Sequence, residues 1–294
     1  MFDQQLANGI FLGAVYALFA VGYTLIFGVL DILNLAHSAI FMSSSFVALA
    51  LVTHGLPFWA AFPLATAFGG LLSVVLDRVA FAPLRARGAG GGSLGPLISS
   101  IAFGIIVVSV TRGFFGPDEV GYPSGTVPHA NLHLGHATFT VMDLSVLVVS
   151  LLMMILLSLL LKATPLGRAI RAVAENAKAA SLLGIDVERT IGVTFLIAGA
   201  LGAAAGILIG AQFNAVGILM GQRIELKGLA VIILGGMGSI PGAVLGGFLL
   251  GLLEVFSVAY LSSSYRDAIA FGVMFLILIV RPGGLLGKRA ARTA

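Results

Sequence analysis

Long apolar runs dominate the chain, and each one ends at a cluster of polar or charged residues. A helix that crosses a bilayer needs roughly 17–25 apolar residues, and the alternation of strands in a membrane barrel is absent. The pattern therefore predicts an all-α integral membrane protein, a polytopic helical bundle of eight or nine spans. The eight predicted spans are 8–30, 38–53, 57–79, 94–115, 142–161, 191–212, 240–260 and 267–280, and the ninth candidate is the shorter run 226–236.

Composition agrees with this prediction, and charge adds an orientation. The chain has 59% hydrophobic and 10% charged residues, with a mean hydropathy of +1.10. Twelve of the sixteen Lys and Arg residues fall in three places, which is typical of cytoplasmic loops. They are Arg78, Arg85 and Arg87; Lys162, Arg168, Arg171, Lys178 and Arg189; and Arg281, Lys288, Arg289 and Arg292.

This distribution predicts an external N-terminus and a cytoplasmic C-terminus, which requires an odd number of crossings. Either 226–236 crosses as part of a broken helix, or one predicted span is re-entrant. The chain has no cysteine, which excludes disulfides and thiol chemistry. No metalloprotease or serine-hydrolase motif is present, and we expect neither an enzyme nor a cofactor. We predict a single membrane domain over 1–294.

Two polar breaks interrupt the apolar pattern, and they suggest an inverted repeat. "NLAHS" (34–38) follows the first long helix, and "GGMGSIPG" (235–242) precedes a helix rich in small residues. Ser38 and Ser239 stand where a helix would start. Paired interruptions are typical of a transport pathway, so we expect two facing groups to line one; they are Asn34, His37 and Ser38, and Met237, Gly238 and Ser239. Alternatively, His37 lies at the level of the lipid headgroups.

The segment 162–190 is the one sizeable polar element on the predicted cytoplasmic side. Thr164 can cap a helix that begins at Pro165, and Gly184 stands where a glycine would end it. We predict a single amphipathic helix of about twenty residues, followed by Asp186. Spacing alone leaves two interpretations open: a connector on the lipid headgroups, or a docking surface for a soluble partner.

Four stretches resemble the LivH-type permeases of branched-chain amino acid ABC importers. They are "NGIFLGAVYALFAVGYTLIFGVLDILNLAHSAIFM", "GRAIRAVAENAKAASLLGID", "LGGMGSIPGAVLGGFLLGLLE" and "RPGGLLG". The resemblance covers nearly the whole chain in the right order. It implies an inner-membrane subunit that works with a second, LivM-like permease, two cytoplasmic ATP-binding subunits and an external substrate-binding protein.

The resemblance also favours the docking interpretation of 162–190. "ENAKAASLLGI" is similar to the signature by which importer permeases seat a coupling helix in an ATPase. Ala179, Ala180 and Gly184 match that signature, and Arg171, Glu175 and Asp186 of the same loop are expected at the contact.

The implied cargo is a branched-chain or other hydrophobic amino acid. The first alternative is urea or a short-chain amide, since such permeases belong to the same wider family. The second is an ion-coupled secondary carrier, which needs carboxylates at membrane depth. Four acidic residues lie near predicted helix ends, which leaves only Glu254 as a deep candidate; the four are Asp31, Asp77, Glu225 and Asp267.

Overall fold

The computed structural model describes residues 2–87, 94–127, 131–134, 137–281 and 283–287. Twelve α-helices account for most of this part of the chain: α1 (Phe2–Leu30), α2 (His37–Thr53), α3 (Phe58–Leu76), α4 (Ala82–Ala86), α5 (Leu94–Phe115), α6 (Val141–Ala163), α7 (Pro165–Glu175), α8 (Ala177–Leu182), α9 (Val187–Gln212), α10 (Met220–Gly235), α11 (Ile240–Tyr260) and α12 (Arg266–Val280). A π-helical turn (Asp77–Phe81) joins α3 to α4, and a 3-10 turn (Ser263–Tyr265) precedes α12.

The predicted all-α polytopic architecture is confirmed, and every predicted span coincides with a helix. Within the described ranges, seven helical segments are long and apolar enough to cross a membrane. The predicted span 38–53 and the ninth candidate, 226–236, fall on helices that are too short for this criterion: α2, with 17 residues, and α10, with 16. The sequence pattern did not predict the small antiparallel hairpin of β1 (Asn131–Leu134) and β2 (Ala137–Thr140).

Helices α1 and α9 form the centre of the bundle, and each packs closely along a second long helix. Gly13 of α1 lies against Gly251 of α11, while Gly199 of α9 lies against Ser73 of α3. A side chain at these glycines would overlap the neighbouring helix. Small residues therefore permit the close backbone approach on which helix association in a membrane depends.

Helix α2 begins inside the bundle rather than at its edge. The imidazole of His37, its first residue, packs beside Gly22 of α1, and α1 continues for eight more residues, or about 12 Å. The connecting segment 31–36 must therefore turn back into the bundle. From there α2 runs parallel to α9, with Phe41 beside Gly206.

Helix α10 also begins inside the bundle, next to the start of α2. The segment 213–219 turns back from the end of α9, and Gly221 then lies so close to Ser38 that a Cβ there would be 2.6 Å from the Ser38 carbonyl oxygen. Further along α10, Gly235 meets Gly242. The two short helices therefore begin beside each other and run in opposite directions.

The breaks differ in detail from the sequence prediction. Ser239 does cap α11, accepting a hydrogen bond from the Gly242 amide at 3.2 Å. Ser38 is not a cap, because α2 begins one residue earlier and has no side-chain cap. The interior break of the second half is 213–219, and the stretch 235–242 contains only a tight turn, 236–239, between α10 and α11. The apolar pattern did not show where α10 begins, because three charged residues lie in its first half: Arg223, Glu225 and Lys227.

The segment 162–190 forms two helices, where the sequence predicted one. Thr164 caps α7 as expected, accepting a hydrogen bond from the Gly167 amide at 3.0 Å. Asn176 then adopts an extended conformation and its side chain caps α8, accepting from the Ala179 amide. Gly184 follows the end of α8 with a φ of +84°, which suits a glycine terminator.

Candidate functional site

A cleft of ≈ 550 Å³ lies between α2, α5 and α10, where the two short helices begin. Its size is typical of a small-molecule site. Most of its wall is apolar: Leu35, Ala39, Met42, Ile101, Gly104, Ile105, Val108, Ile218, Leu219 and Gly221. Its polar side chains are Ser38, Ser109, Arg112, Gln222 and Glu225.

Glu225 brings a carboxylate to the inner part of this cleft. The Ser38 hydroxyl donates a hydrogen bond to it at 3.1 Å, which ties the first turn of α2 to the second turn of α10. The sequence placed Glu225 near a helix end, and it does lie in the second turn of α10, but this helix begins at Met220, inside the bundle. Arg112 lies in the last turn of α5, at the other end of the cleft.

The first turns of α2 and α10 present backbone donors to the same cleft. Among the described residues, no acceptor pairs with the amide N–H groups of Ser38, Gly221 or Gln222. Such orphan donors are usual in the first turn of a helix, and they carry partial positive charge. Two helix starts converge here, so the cleft offers donors for an anion beside a carboxylate for a cation.

The structure separates the six residues that the sequence expected to line a pathway. Ser38 lies at the cleft. Asn34 is fully buried, with its side-chain oxygen accepting a hydrogen bond from the Ala36 amide at 3.2 Å. His37 is fully buried between the rings of Phe19 and Tyr23, with centroids 4.9 and 5.6 Å away. It therefore does not line the cleft.

The second expected group lies at another depth of the bundle. Met237, Gly238 and Ser239 form the turn between α10 and α11, where Gly238 approaches Gly28. Gly28 is six residues beyond Gly22, the neighbour of His37, which corresponds to about 9 Å along α1. The structure therefore does not bring the two groups face to face.

A second group of charged residues joins α1, α10, α11 and α12. Glu254 is fully buried and accepts hydrogen bonds from Tyr16 at 2.8 Å and from Lys227 at 2.6 Å. Arg266 also pairs with Glu254, and Asp267 lies 3.4 Å from Lys227. Glu254, the deep carboxylate that an ion-coupled carrier would need, is thus already neutralised by two cations.

Most residues expected at an ATPase contact lie on the surface of α7 and α8. Arg171, Glu175, Ala179 and Gly184 are exposed, whereas Ala180 is buried. Asp186 is exposed and caps α9 by accepting a hydrogen bond from the Arg189 amide at 3.0 Å. The sequence reasoning missed Leu182 and Leu183, which are 89% and 82% exposed. The sequence does contain a signal for them, because two adjacent leucines stand in a segment that is otherwise made of small and polar residues.

The sequence reasoning also missed Arg112, Gln222 and Glu225 at the cleft. The available signal was three charged residues in sixteen, Arg223, Glu225 and Lys227, within an otherwise apolar region. Charged residues in membrane helices generally face a cavity or a partner, and this would have drawn attention to α10.

A polytopic bundle with helices that begin in its interior, around a cleft that carries a few polar groups, is typical of membrane transport proteins. Comparison with known proteins gives the family. Residues 5–278 match the model of the branched-chain amino acid transport system / permease component. The chain belongs to this family.

Two curated relatives match over almost their full length. The chain is 36% identical to the high-affinity branched-chain amino acid transport system permease protein LivH of Escherichia coli (strain K12), covering 98% of this chain and 96% of that protein. It is 35% identical to BraD, which carries the same description, of Pseudomonas aeruginosa, covering 97% and 95%. A more distant relative is the ribose import permease protein RbsC of Haemophilus influenzae, 25% identical over 94% of this chain and 84% of that protein.

Proposed function

We propose that the chain is the membrane-spanning subunit of an ABC importer that moves branched-chain amino acids into the cell. The observation that carries this proposal is the near-full-length match to LivH and BraD. In this function an external binding protein delivers the amino acid, and separate ATP-binding subunits supply the energy. The whole chain acts as one permease domain.

The proposed topology has nine crossings, with the N-terminus outside and the C-terminus in the cytoplasm. Nine is odd, as the charge distribution requires, and α2 and α10 are then the two short crossings. In this topology α10 starts in the interior and ends at the cytoplasmic face, where Gly238 approaches Gly28 near the end of α1.

We also propose that α1–α3 and α9–α11 are inverted repeats. In each, a long helix ends, the chain turns back into the bundle, and a short helix follows. The turn begins with a non-glycine residue at positive φ in both halves, Asp31 at 53° and Asn214 at 50°. The packing is reciprocal too, because α1 packs along α11 and α9 packs along α3.

The pathway in this proposal passes the cleft at the start of α2 and α10. An amino acid is a zwitterion, and crossing hydrocarbon without hydrogen bonds is prohibitively costly. Ser38 is the member of the expected pathway group that supports this route. Asn34 and His37 would act by fixing the start of α2, and residues 237–239 by shaping the cytoplasmic end.

The segment α7–α8 is the proposed contact with the ATP-binding subunit. Leu182 and Leu183 project from it, and exposed apolar side chains beside charged ones suit a protein groove. The signature positions Ala179 and Ala180 lie in α8, and Gly184 follows its end. Arg171, Glu175 and Asp186 surround it.

A second permease is the proposed cover for the exposed face of α10. Gln222, Arg223 and Leu226 are exposed there in the single chain. An arginine facing hydrocarbon is costly, so a protein partner or a water-filled pathway is expected beside it. A LivM-like permease would supply both.

Uptake by the reconstituted importer tests this function. Vesicles containing the assembled complex should accumulate leucine, isoleucine and valine only with ATP and the loaded binding protein. Accumulation of urea or acetamide instead would support the amide permease. Accumulation driven by a proton or sodium gradient, without any ATPase, would support the carrier.

A double variant tests the ATPase contact. Leu182→Asp with Leu183→Asp should lose the ATP-binding subunits during purification and lose uptake. The control is Leu261→Asp, which places the same charge on a leucine that is 70% exposed beyond the end of α11. Retention of the ATP-binding subunits by the double variant would contradict the proposal that α8 forms this contact.

A further inference from the structure

The cleft between α2, α5 and α10 contains opposite kinds of polar group within a short distance. Glu225 lies one helical turn after Gly221, so its side chain and the donors of the first turn of α10 share one region. The Ser38 hydroxyl joins Glu225 from the opposite helix at 3.1 Å. The carboxyl group of Glu225 thus shares the cleft with Ser38, Gly221 and Gln222, whose amide N–H groups have no acceptor within the described part of the chain.

This combination matches one class of ligand. The ammonium and carboxylate groups of an α-amino acid are attached to the same carbon, so a site for it must present an acceptor and donors close together. A neutral amide or urea can donate hydrogen bonds to a carboxylate, but it carries no full charge to pair with either part of the site. A simple anion would be repelled by one, and a simple cation would not use the backbone donors.

We propose that this cleft is the subsite that recognises the amino-acid backbone during transport. Glu225 accepts hydrogen bonds from the α-ammonium group. The amide N–H groups of Ser38, Gly221 and Gln222 donate to the α-carboxylate. The inference rests on the proposed importer function and assigns the residues that would recognise its cargo.

Gly221 has a specific place in this arrangement. A Cβ at this position would lie 2.6 Å from the Ser38 carbonyl oxygen and 3.1 Å from the Met42 Cβ. The glycine therefore lets the two helix starts approach until both sets of donors serve one cleft. Two helix N-termini directed at one carboxylate would add their partial charges.

The apolar wall of the cleft would accommodate the aliphatic side chain of the transported amino acid. Ile105 and Val108 of α5 and Ala39 and Met42 of α2 all line the cleft. The polar groups are thus confined to the starts of α2 and α10 and to the Arg112 end, with branched and small apolar residues between them. Arg112, at the end of α5, would attract the carboxylate on entry.

Site-specific labelling tests the ligand class directly. The chain has no cysteine, so Ser109→Cys places a single thiol on the cleft wall of the assembled complex. Millimolar leucine, without the binding protein, should slow its reaction with a maleimide several-fold, whereas acetamide and urea should not. The control thiol, Ser124→Cys in the loop after α5, should react at the same rate with and without each of these ligands. Protection by no ligand, or equal protection by acetamide, would overturn the proposal.

Single substitutions at two adjacent residues test the apolar wall through the selectivity of uptake between leucine and valine. Ile105 and Ile106 are 61% and 59% exposed on the same helix, but only Ile105 lines the cleft. Ile105→Phe should reduce leucine uptake at least threefold relative to valine, because the larger cargo loses room. Ile106→Phe should leave the ratio unchanged. A folding or assembly defect would lower both rates together, so the ratio is measured on assembled complex that still takes up valine. An unchanged ratio in that complex contradicts the assignment.

Glu225→Gln tests the ammonium contact. Uptake should fall at least tenfold while the loaded binding protein still stimulates ATP hydrolysis, and Glu225→Asp should recover part of it. Uptake by Glu225→Gln at the wild-type rate would refute this role. If the wild-type complex itself moves no amino acid, the proposed function fails; if it does and these variants do not differ from it, only the subsite fails.

Discussion

At the scale of single residues, glycine decides where helices can meet in this bundle. A Cβ on Gly206 of α9 would overlap the Phe41 carbonyl of α2, whereas a Cβ on Gly272 of α12 would meet nothing within 4 Å. Both glycines lie inside helices, so their intrinsic cost to the helix is similar. Their tertiary surroundings alone distinguish them.

Gly206→Ala should therefore destabilise the protein by about 1–3 kcal/mol, the usual cost of overpacking. Gly272→Ala should leave stability unchanged or raise it slightly, because alanine favours the helix. The measurement is the melting temperature of each variant in the same detergent. Equal melting temperatures would show that α2 and α9 do not approach as closely as described.

Glu254 gives a second residue-scale prediction. Glu254→Gln removes the charge that neutralises Lys227 and Arg266, and breaking a buried pair in this way costs about 3–5 kcal/mol. Asp267→Asn is the control, since the Asp267 side chain is 63% exposed. Thermal unfolding of the two variants should show a large loss for the first and little change for the second. A stable Glu254→Gln protein would contradict the buried network.

At the scale of elements, an ionic contact joins the end of α3 to the start of α9. Arg85 of α4 pairs with Asp77 at 2.5 Å and with Glu188 at 2.8 Å. The Asp77 side chain is fully buried in the π-helical turn, while that of Glu188 is 53% exposed. Since α9 follows α8 directly, this contact connects the proposed coupling segment to the membrane helices.

Double-mutant cycles should separate the two pairs. The coupling energy between Arg85 and Glu188 should not exceed about 1 kcal/mol, because that pair is exposed and screened by solvent. The coupling between Arg85 and the buried Asp77 should be clearly larger. The measurement is the unfolding stability of the single and double alanine variants, and a larger coupling for Glu188 would reverse this assignment.

At the scale of the whole molecule, the direction of α10 decides the number of crossings. In the proposed topology the α10–α11 turn is cytoplasmic, and the loop before α12 is external. Ser264→Cys should therefore react with an impermeant maleimide in intact cells. Met237→Cys, which replaces a side chain that is 56% exposed, should react only after permeabilisation. Reaction of Met237→Cys in intact cells would instead indicate that α10 is re-entrant and does not cross the membrane.

Much of the fold was predictable because the bilayer imposes a simple rule on sequence. Apolar runs such as 94–115 and 240–260 gave helices with the same bounds as the observed ones. Thr164, Ser239 and Gly184 were predictable as helix ends because capping is a local interaction. Asn176 was missed, although its side chain caps α8 by the same local interaction.

The candidate site was predictable only in part. Ser38 was found because a polar residue interrupts an apolar run. His37 came from the same signal, yet it packs against Phe19, Tyr23 and Gly202. Which face of a short helix is buried depends on its neighbours, and these are distant in sequence. Glu225 was not assigned to the site, because its own charge and those of Arg223 and Lys227 concealed the start of the helix that carries it.

The sequence by itself determined the membrane class, the long helices, the caps of α7 and α11 and the family resemblance, since hydrophobicity and capping act over a few residues. Only the tertiary structure decided that α2 and α10 begin together inside the bundle and that Glu225 reaches Ser38, which lies 187 residues earlier in the chain. The physical reason is that contacts between helices depend on packing, where small residues such as Gly221 allow an approach that no local pattern encodes.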